Sequence, residues 1–548
     1  GDRVRVLARL QPPLPPALPG AYDFGRQAWF ERLGAIGFAV GPAERVDGGT
    51  ESLSLRIAAL RASIAARISA VSPGPSGAMA AALIAGVQEG LDQATWRDLR
   101  ISGLAHLVSV SGLHMVLVAG GVLAACRWLL ALCPPLALRF PVRKIAAVVA
   151  MAAAAFYLVL SGASVPTQRS FLMTAVALLA IIADRNPFSL RLLAWAAVVV
   201  LLVRPESVLG ASFQLSFAAV LALMAVYEGW RGIQRDEGEP ASGRWSPIGR
   251  YLLGVCVTTL VASAATTPFA AFHFQTIPTY GVLANLIAVP LTSFLVMPAG
   301  MVGLLLLPLG LDGPAFQVMA WGVHGVLLVA HGVASLPGAS VLVRQWPSLA
   351  LMALAMGGLW IALWREQWRW LGLLPCAAAV ALVLLSRPPD LLVDRLLGMA
   401  AVRHADGAVT MIEWRRDRLV KETWLRHLGV AAPLVVLKPG AGTADGVTCD
   451  EAGCIVAMGA GRVSLAHGVE AAIEDCGLVD LMIARVGPER CRRGGDMIGP
   501  WALRDAGGIA VAHRGGQIAV STVAASRGDW PWARRPARVK TYKLNLTE

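Results

Sequence analysis

Charged residues are scarce in this chain of 548 residues: they make up 15% of it, against about 25% in an ordinary soluble domain. Hydrophobic residues account for 56% of the sequence. This composition excludes a purely soluble protein, a disordered chain and a collagen-like repeat. It is typical of a polytopic α-helical membrane protein that carries soluble parts at its ends.

Two sequence signals are also missing. The chain begins with Gly1 rather than methionine and shows no signal peptide, so we expect a fragment whose true N-terminus, with further spans, lies upstream. No GxxxxGK[ST] loop occurs, so the sequence provides no nucleotide site of the P-loop type. Energy for any transport is therefore expected from a partner or a gradient.

Long apolar segments follow one another between residues 106 and 386. Several reach the length of about 20 residues that a helix needs to cross a bilayer. Pro268, Pro290 and Pro298 lie inside these segments and predict kinks. We predict about ten spans, at 107–132, 144–162, 168–184, 189–203, 208–227, 251–271, 279–309, 314–335, 348–364 and 369–386.

The sequence divides into four parts. Residues 1–50 are interpreted as a partial β domain, and 51–105 as amphipathic or connecting helices that lie either at the membrane surface or half-buried. Residues 106–386 form the membrane domain. Residues 387–548 are predicted to form a small α/β domain, with strands at 407–412, 481–484 and 508–512 and a helix at 466–475.

Basic residues in the loops predict the orientation. The net charge of +13 is concentrated there, with twelve Lys and Arg residues on one side and three on the other when alternate loops are grouped. The positive-inside rule places the richer side in the cytoplasm. Ten spans then put both soluble ends outside the cytoplasm, and an error of one span would move the C-terminal end.

Acidic residues are absent from the centres of the predicted spans, which disfavours an ordinary ion-coupled transporter. Neutral polar residues and histidines occur instead. On a single helix His106 would be a neighbour of Ser109, and Ser111 a neighbour of His114. Each polar residue alone is compatible with helix packing, but together they indicate a polar interior that tolerates an anionic chain. The candidate pathway residues are His106, Ser109, Ser111, Gly112, His114, Gln168, Arg169, Gln214, Ser216 and Asn285.

Several motifs point to a family. The run HLVSVSGLHMVLVAGG at 106–121 closely resembles the hallmark of the ComEC competence proteins. The segments PTQRSFLM at 166–173, SFQLSF at 212–217 and ANLIAVPL at 284–291 extend the resemblance, and PGAYDF at 19–24 resembles the end of the family's OB-like domain.

The resemblance implies an inner-membrane channel that passes single-stranded DNA into the cytoplasm during natural transformation, with both soluble domains in the periplasm. Its implied partners are single-stranded DNA, membrane lipid, a DNA receptor and a cytoplasmic translocation motor; a homo-oligomer is left open. Arg169 would meet phosphates at the outer mouth of the third span, and Gln214 is expected in the middle of the fifth.

The C-terminal domain departs from the family pattern. Many members end in a metallo-β-lactamase-like domain with an HxHxDH motif, but the histidines at 404, 427, 467 and 513 form no such cluster. A two-metal nuclease needs several converging ligands. We therefore expect a degenerate copy or an unrelated domain, without nuclease activity, metal or other cofactor.

Four of the eight cysteines lie in this domain, at Cys449, Cys454, Cys476 and Cys491. An oxidising periplasm favours two disulfides, and we prefer the pairs 449–454 and 476–491. A zinc site made of the four thiolates is the alternative. Two alternatives to the DNA channel also remain: a permease or flippase for another anionic polymer or lipid, and an extracytoplasmic enzyme with a membrane anchor.

Overall fold

A computed structural model describes residues 3–47, 52–236, 247–438, 440, 442–459, 461–491, 494–533 and 543–545. These residues fall into two compact units. The first comprises the described residues between 48 and 341 together with 348–381. The second comprises 3–47, 342–347 and the described residues from 382 onward.

The first unit is helical, because apolar runs inside a bilayer can satisfy their backbone groups only within helices. Two short strands, β5 (Thr276–Pro278) and β6 (Ser340–Leu342), lie in loops. The helices between residues 53 and 385 are α2 (Leu53–Val71), α3 (Pro75–Ala85), α4 (Gln93–Ile101), α5 (Gly112–Ala131), α6 (Pro134–Arg139), α7 (Val142–Leu160), α8 (Val165–Ile182), α9 (Leu190–Val203), α10 (Ala211–Asp236), α11 (Pro247–Phe274), α12 (Gly281–Leu291), α13 (Met297–Leu306), α14 (Gly313–Ala334), α15 (Ser348–Leu363) and α16 (Leu373–Leu385).

Eight segments of the described chain are long and apolar enough to cross a membrane. Two other predicted spans coincide with the shorter helices α9 and α15, of 14 and 16 residues. The helical membrane class is thus confirmed, whereas the count of ten is not. The eight segments are Gly112–Ala131, Val142–Leu160, Val165–Ile182, Ala211–Trp230, Leu253–Phe274, Gly281–Leu309, Gly313–Ala334 and Gln367–Leu385.

The three prolines occupy different settings. Helix α11 continues through Pro268, and the hydroxyl of Thr267 donates to the carbonyl of Ser263 at 2.7 Å. Pro290 lies inside α12 and Pro298 lies in the first turn of α13. A π-helical turn at Thr292–Val296 separates these two helices, so the long seventh segment is divided there.

Helix α2 buries one face, made of Ile64, Ala65 and Ile68, as expected for a half-buried helix. Its Arg67 Nε lies 2.6 Å from Oδ2 of Asp312, which is fully buried just before α14. This hydrogen bond holds the pKa of the Asp312 carboxyl below its ordinary value of 3.8. The pair links two segments that lie far apart in the sequence.

Arg67→Ala is expected to lower the melting temperature of the chain at pH 7, because it leaves the Asp312 carboxylate buried without its cation. A carboxyl with a lowered pKa stabilises the fold above pH 3.8, and this stabilisation disappears as the pH falls through the lowered pKa. The difference between wild type and variant should therefore shrink towards pH 3 in thermal melts. The exposed Arg97→Ala is the control, and an equal drop in both variants would contradict the pair's role.

The second unit begins with four short strands and one helix. β1 (Arg3–Arg5) pairs antiparallel with β4 (Glu44–Asp47), and β2 (Ala8–Gln11) pairs with β3 (Ile36–Ala39). Between them lies α1 (Phe24–Phe30), capped by Asp23, whose Oδ1 accepts a hydrogen bond from the backbone N–H of Gly25. The strands form two separate pairs, and the OB-like assignment stays a prediction.

The C-terminal part is rich in β-structure, as predicted. The elements of this part are β7 (Leu391–Val393), β8 (Met399–Arg403), β9 (Val409–Glu413), α17 (Arg418–Leu428), β10 (Val435–Leu437), β11 (Gly442–Ala444), β12 (Val447–Cys449), β13 (Gly453–Met458), β14 (Gly461–Ala466), α18 (Val469–Glu474), β15 (Leu481–Ala484), β16 (Asp496–Ile498), α19 (Pro500–Ala506), β17 (Ile509–Arg514), β18 (Gln517–Thr522), α20 (Val523–Arg527) and β19 (Lys543–Asn545). The first sheet has the strand order β10-β9-β8-β7-β17-β18-β19, and the second has the order β11-β12-β13-β14-β15-β16.

The two sheets pack face to face. Along β7, Leu391 and Val393 join the core between the sheets, while Leu392 packs on the opposite face with Trp424 of α17. This alternation follows from the two-residue period of a strand. On the outer face of the second sheet, α18 packs through Ala472. The result is a four-layer arrangement of helix, sheet, sheet and helix.

The N-terminal segment packs into this same unit. Leu18 is 1% exposed and lies in the cluster that contains Trp424. The indole Nε1 of Trp424 donates to the carbonyl of Ala17 at 2.9 Å. Arg527 forms a 2.8 Å ion pair with Asp23. Residues 3–47 and the described residues from 382 onward, which we predicted as parts of separate domains, therefore share one compact unit.

Candidate functional site

The histidine-rich motif is not one continuous helix. A single 3₁₀ turn covers Ala105–Leu107, and α5 starts only at Gly112. The prediction that His106 and Ser109 share a helix with His114 is therefore wrong. The cause is local: Ser111 is extended and caps α5, which interrupts the helix before Gly112.

The cap fixes the tautomer of His114. The backbone N–H of Ser111 donates to Nδ1 of His114 at 3.1 Å, so Nδ1 is the acceptor and Nε2 carries the proton. His114 is fully buried, and its Nε2 has no hydrogen-bond partner among the described residues. His106, in contrast, is exposed and its Nδ1 lies 2.9 Å from the carbonyl of Gly103.

Arg169 lies one turn into α8 and is only 7% exposed, rather than at an open mouth. Its Nη1 donates to Ser212 Oγ at 2.5 Å and its Nη2 to Ser216 Oγ at 3.1 Å, which connects α8 to α10. Its Nε is buried without a hydrogen-bond partner among the described residues. No described carboxylate lies within ion-pair distance of Arg169, and the described side chains that accept its hydrogen bonds are the two serine hydroxyls.

Gln214 was expected in mid-span, but α10 begins at Ala211 and places it in the first turn. Its Oε1 lies 2.8 Å from Nε2 of His273 on α11, and its Nε2 donates to the carbonyl of Val208 at 3.0 Å. His273 was not predicted, although it stands at the end of an apolar run, where a polar ring is a usable signal.

Of three further candidates, Gly112 lies beside Arg169, whereas Gln168 and Asn285 form no hydrogen bond with the other candidates among the described residues. A Cβ on Gly112 would lie 3.9 Å from Ser170 Oγ, so the start of α5 adjoins α8 beside Arg169. Gln168, however, donates to the carbonyl of Ala163 at 2.7 Å and stabilises its own loop. Asn285 lies on α12 with a buried Oδ1 that has no partner in the described chain, and no hydrogen bond joins it to the other candidates.

Three neighbouring helices thus carry a set of polar residues that we call the polar band: Ser111, which caps α5, His114 of α5, Arg169 of α8, and Ser212 and Ser216 of α10. It contains a cation and no acid. Two of its N–H donors, His114 Nε2 and Arg169 Nε, are buried and have no acceptor in the described part of the chain, and leaving such a group unpaired costs about 1–3 kcal/mol. Unsatisfied buried donors of this kind are suited to an anionic group that brings oxygen acceptors.

The second unit shows no comparable chemistry in its described part. No group of three or more His, Cys, Asp and Glu side chains is placed to hold a metal there. Its cysteines are joined as Cys449–Cys454, on paired positions of β12 and β13, and as Cys476–Cys491, with Cα separations of 4.1 and 5.5 Å. The absence of nuclease activity stays a prediction.

A bundle of span-length apolar helices with a polar band that lacks acidic groups defines a polytopic integral membrane protein. The family model described as "Competence protein" matches residues 83–369, just over half of the chain and all of the polar band. The chain therefore belongs to the competence protein family, and the resemblance to the ComEC proteins is confirmed.

Individual relatives agree with this assignment. The chain is 35% identical over 225 residues to competence protein ComA of Neisseria gonorrhoeae, covering 40% of this chain and 29% of the relative. It is 22% identical over 310 residues to ComE operon protein 3 of Bacillus subtilis, covering 56% and 36%. It is 28% identical over 256 residues to Recombination protein 2 of Haemophilus influenzae, covering 46% and 31%. The match thus spans about a third of each relative. No solved structure matches the chain.

Proposed function

We propose that this protein is an inner-membrane channel that passes single-stranded DNA into the cytoplasm during natural transformation. The observation that carries the proposal is Arg169, a buried cation with no carboxylate partner among the described residues, inside the part of the chain that matches the competence family. Such a group would repel a cationic substrate, and it would bind a neutral one less strongly than a phosphate-bearing strand.

The geometry of the polar band suggests how a strand is accommodated. Arg169 offers hydrogen bonds that Ser212 and Ser216 hold while no phosphate is present, since a hydroxyl is a weaker partner than a phosphate oxygen. His114 adds a neutral donor through Nε2. A conduit must bind its cargo well enough to admit it and weakly enough to release it. One cation and neutral donors meet that requirement.

Because the second unit is compact, we infer an even number of membrane crossings in each stretch of chain that leaves this unit and returns to it. Residues 3–47, 342–347 and 382 onward share this unit. Apart from the last residues of α16, which ends at Leu385, the unit is soluble and would lie on one side of a membrane. Two crossings then lie between 347 and 386, which are α15 and α16. Seven span-length segments lie between 47 and 342, and α9 would complete eight. Ten crossings result, and the loop charges favour the periplasm for the second unit.

For the C-terminal domain, the four-layer arrangement supports a degenerate metallo-β-lactamase-like fold that has lost its metal ligands. We expect it to lack nuclease activity. The strand would then be prepared by other proteins, namely a DNA receptor and a separate nuclease, and drawn inward by a cytoplasmic motor.

Deletion of the gene in a transformable host tests the proposal. Labelled double-stranded DNA should accumulate in a nuclease-protected periplasmic pool, and the label should fail to reach the cytoplasm. Expression of the intact gene should restore transfer. Normal cytoplasmic uptake in the deletion strain would overturn the proposal, and a change in lipid distribution or in export of another polymer would favour the permease or flippase alternative.

A further inference from the structure

A cavity lies in the second unit, away from the polar band. Its volume is about 150 Å³. A bound water needs roughly 10–15 Å³ of such space, so the cavity has room for a small polyatomic ion. It is lined by Leu18, Pro19, Arg387, Pro389, His427, Ala510, Ala512, Arg514 and Ser521.

The polar lining of this cavity is basic or neutral. Nη2 of Arg514 donates a hydrogen bond to the carbonyl of Arg387 at 3.1 Å. The guanidinium of Arg387 has no partner among the described residues. Burial lowers the pKa of His427 to about 4, so this ring is neutral at pH 7. Asp390 lies close in sequence but binds Arg403 and the N–H of His513 instead. The cavity therefore carries two positive charges and no lining carboxylate.

The position of Arg387 along the chain indicates which anion is available. Leu384 and Leu385 end the last span-length segment, and they are 72% and 81% exposed, as expected for side chains in lipid. Arg387 follows two residues later, within about 7 Å of the end of the segment. Each headgroup layer of a bilayer is roughly 5–7 Å thick. We therefore expect Arg387 at the depth of the lipid phosphates.

We propose that this cavity binds the phosphate of a phospholipid headgroup and prefers lipids with net negative charge. The two guanidinium groups would contact the phosphate oxygens. The apolar residues, Leu18 among them, would pack against the glycerol region. A zwitterionic headgroup would bring its own cation towards Arg387 and Arg514, which explains the preference. The inference is independent of the DNA channel, since no residue of the polar band takes part.

Native mass spectrometry of the full chain in detergent tests the site, with phosphatidylglycerol and phosphatidylcholine of equal chain length as probes. Wild type should retain one phosphatidylglycerol in preference to phosphatidylcholine. Each interfacial cation contributes about fivefold in affinity, so Arg387→Ala with Arg514→Ala should weaken binding about thirtyfold. Arg387→Lys with Arg514→Lys should retain most of the binding, and Ala512→Leu should block it by filling the cavity.

The matched control is Arg462→Ala with Arg504→Ala, which removes two exposed cations of the same unit outside the cavity. It should bind lipid like wild type. Equal lipid retention by the Arg387 and Arg514 double alanine variant would overturn the proposal. So would displacement of the lipid by millimolar inorganic phosphate, which indicates a soluble anion, or by a single-stranded oligonucleotide, which indicates a nucleic-acid site.

Discussion

Arg169→Ala is expected to reduce the transfer of labelled DNA into the cytoplasm by about a hundredfold, while the protein still inserts into the membrane. In our proposal its two Nη groups bind a passing phosphate. A hydrogen bond to a charged group contributes about 1.5–3 kcal/mol, so losing two raises the barrier by at least about 3 kcal/mol. Each 1.36 kcal/mol corresponds to a tenfold change in rate. The measurement is cytoplasmic label per cell at matched protein levels.

The two serines provide the control that separates transport from packing. Ser212→Ala with Ser216→Ala removes the residues that hold Arg169 in the described structure but leaves its charge in place. If Arg169 serves the strand, this double variant should keep clearly more of the transfer than Arg169→Ala, because the cation that binds the phosphate is still present. If it lost as much transfer as Arg169→Ala, Arg169 would be a structural link between α8 and α10, and its role in the pathway would be wrong. Arg169→Lys should fall between the two.

Trp424→Ala is expected to destabilise the second unit by about 3–5 kcal/mol. Trp424 is fully buried, and its indole also donates to the carbonyl of Ala17. The change leaves a cavity and an unpaired carbonyl at the junction of the N-terminal segment and the C-terminal domain. At roughly 2–4 °C per kcal/mol for a unit of this size, the melting temperature should fall by about 6–20 °C.

Trp501 is the matched control for that substitution. It belongs to the same unit but is 67% exposed on α19, so Trp501→Ala should change stability by less than about 0.5 kcal/mol. Limited proteolysis adds a second readout, because the Trp424 variant should release the N-terminal segment sooner. Equal melting temperatures of the two variants would show that the N-terminal segment contributes little to this unit.

Part of the candidate site was accessible from the sequence. The residue types and the motif segments were recognisable, and two candidate pairs are in contact, Ser111 with His114 and Arg169 with Ser216. The pairing of Arg169 was not accessible. Only the structure identifies Ser212 as a partner of Arg169, because the rotation of α10 about its axis decides which of its residues face α8. Hydrophobicity does not specify that rotation when most of the helix surface is apolar.

The error at the start of the first span has a similar origin. An apolar run predicts a helix over its whole length. Here, however, the backbone N–H of Ser111 donates to Nδ1 of His114, and this capping interaction makes the helix begin at Gly112. Short polar side chains compete with the helix for backbone groups, and this competition is decided by local geometry. His106 is thereby placed outside the helix, where it is exposed.

The sequence by itself determined the membrane class, the approximate positions of the spans, the family and the β-rich C-terminal part. These follow from properties that add up along the chain, such as transfer of apolar side chains into lipid and the two-residue period of strands. Only the tertiary structure decided that Arg169 binds two serines and that Ala17 and Trp424 belong to one core. Contacts between distant segments depend on how surfaces fit in three dimensions, and no local pattern specifies that fit.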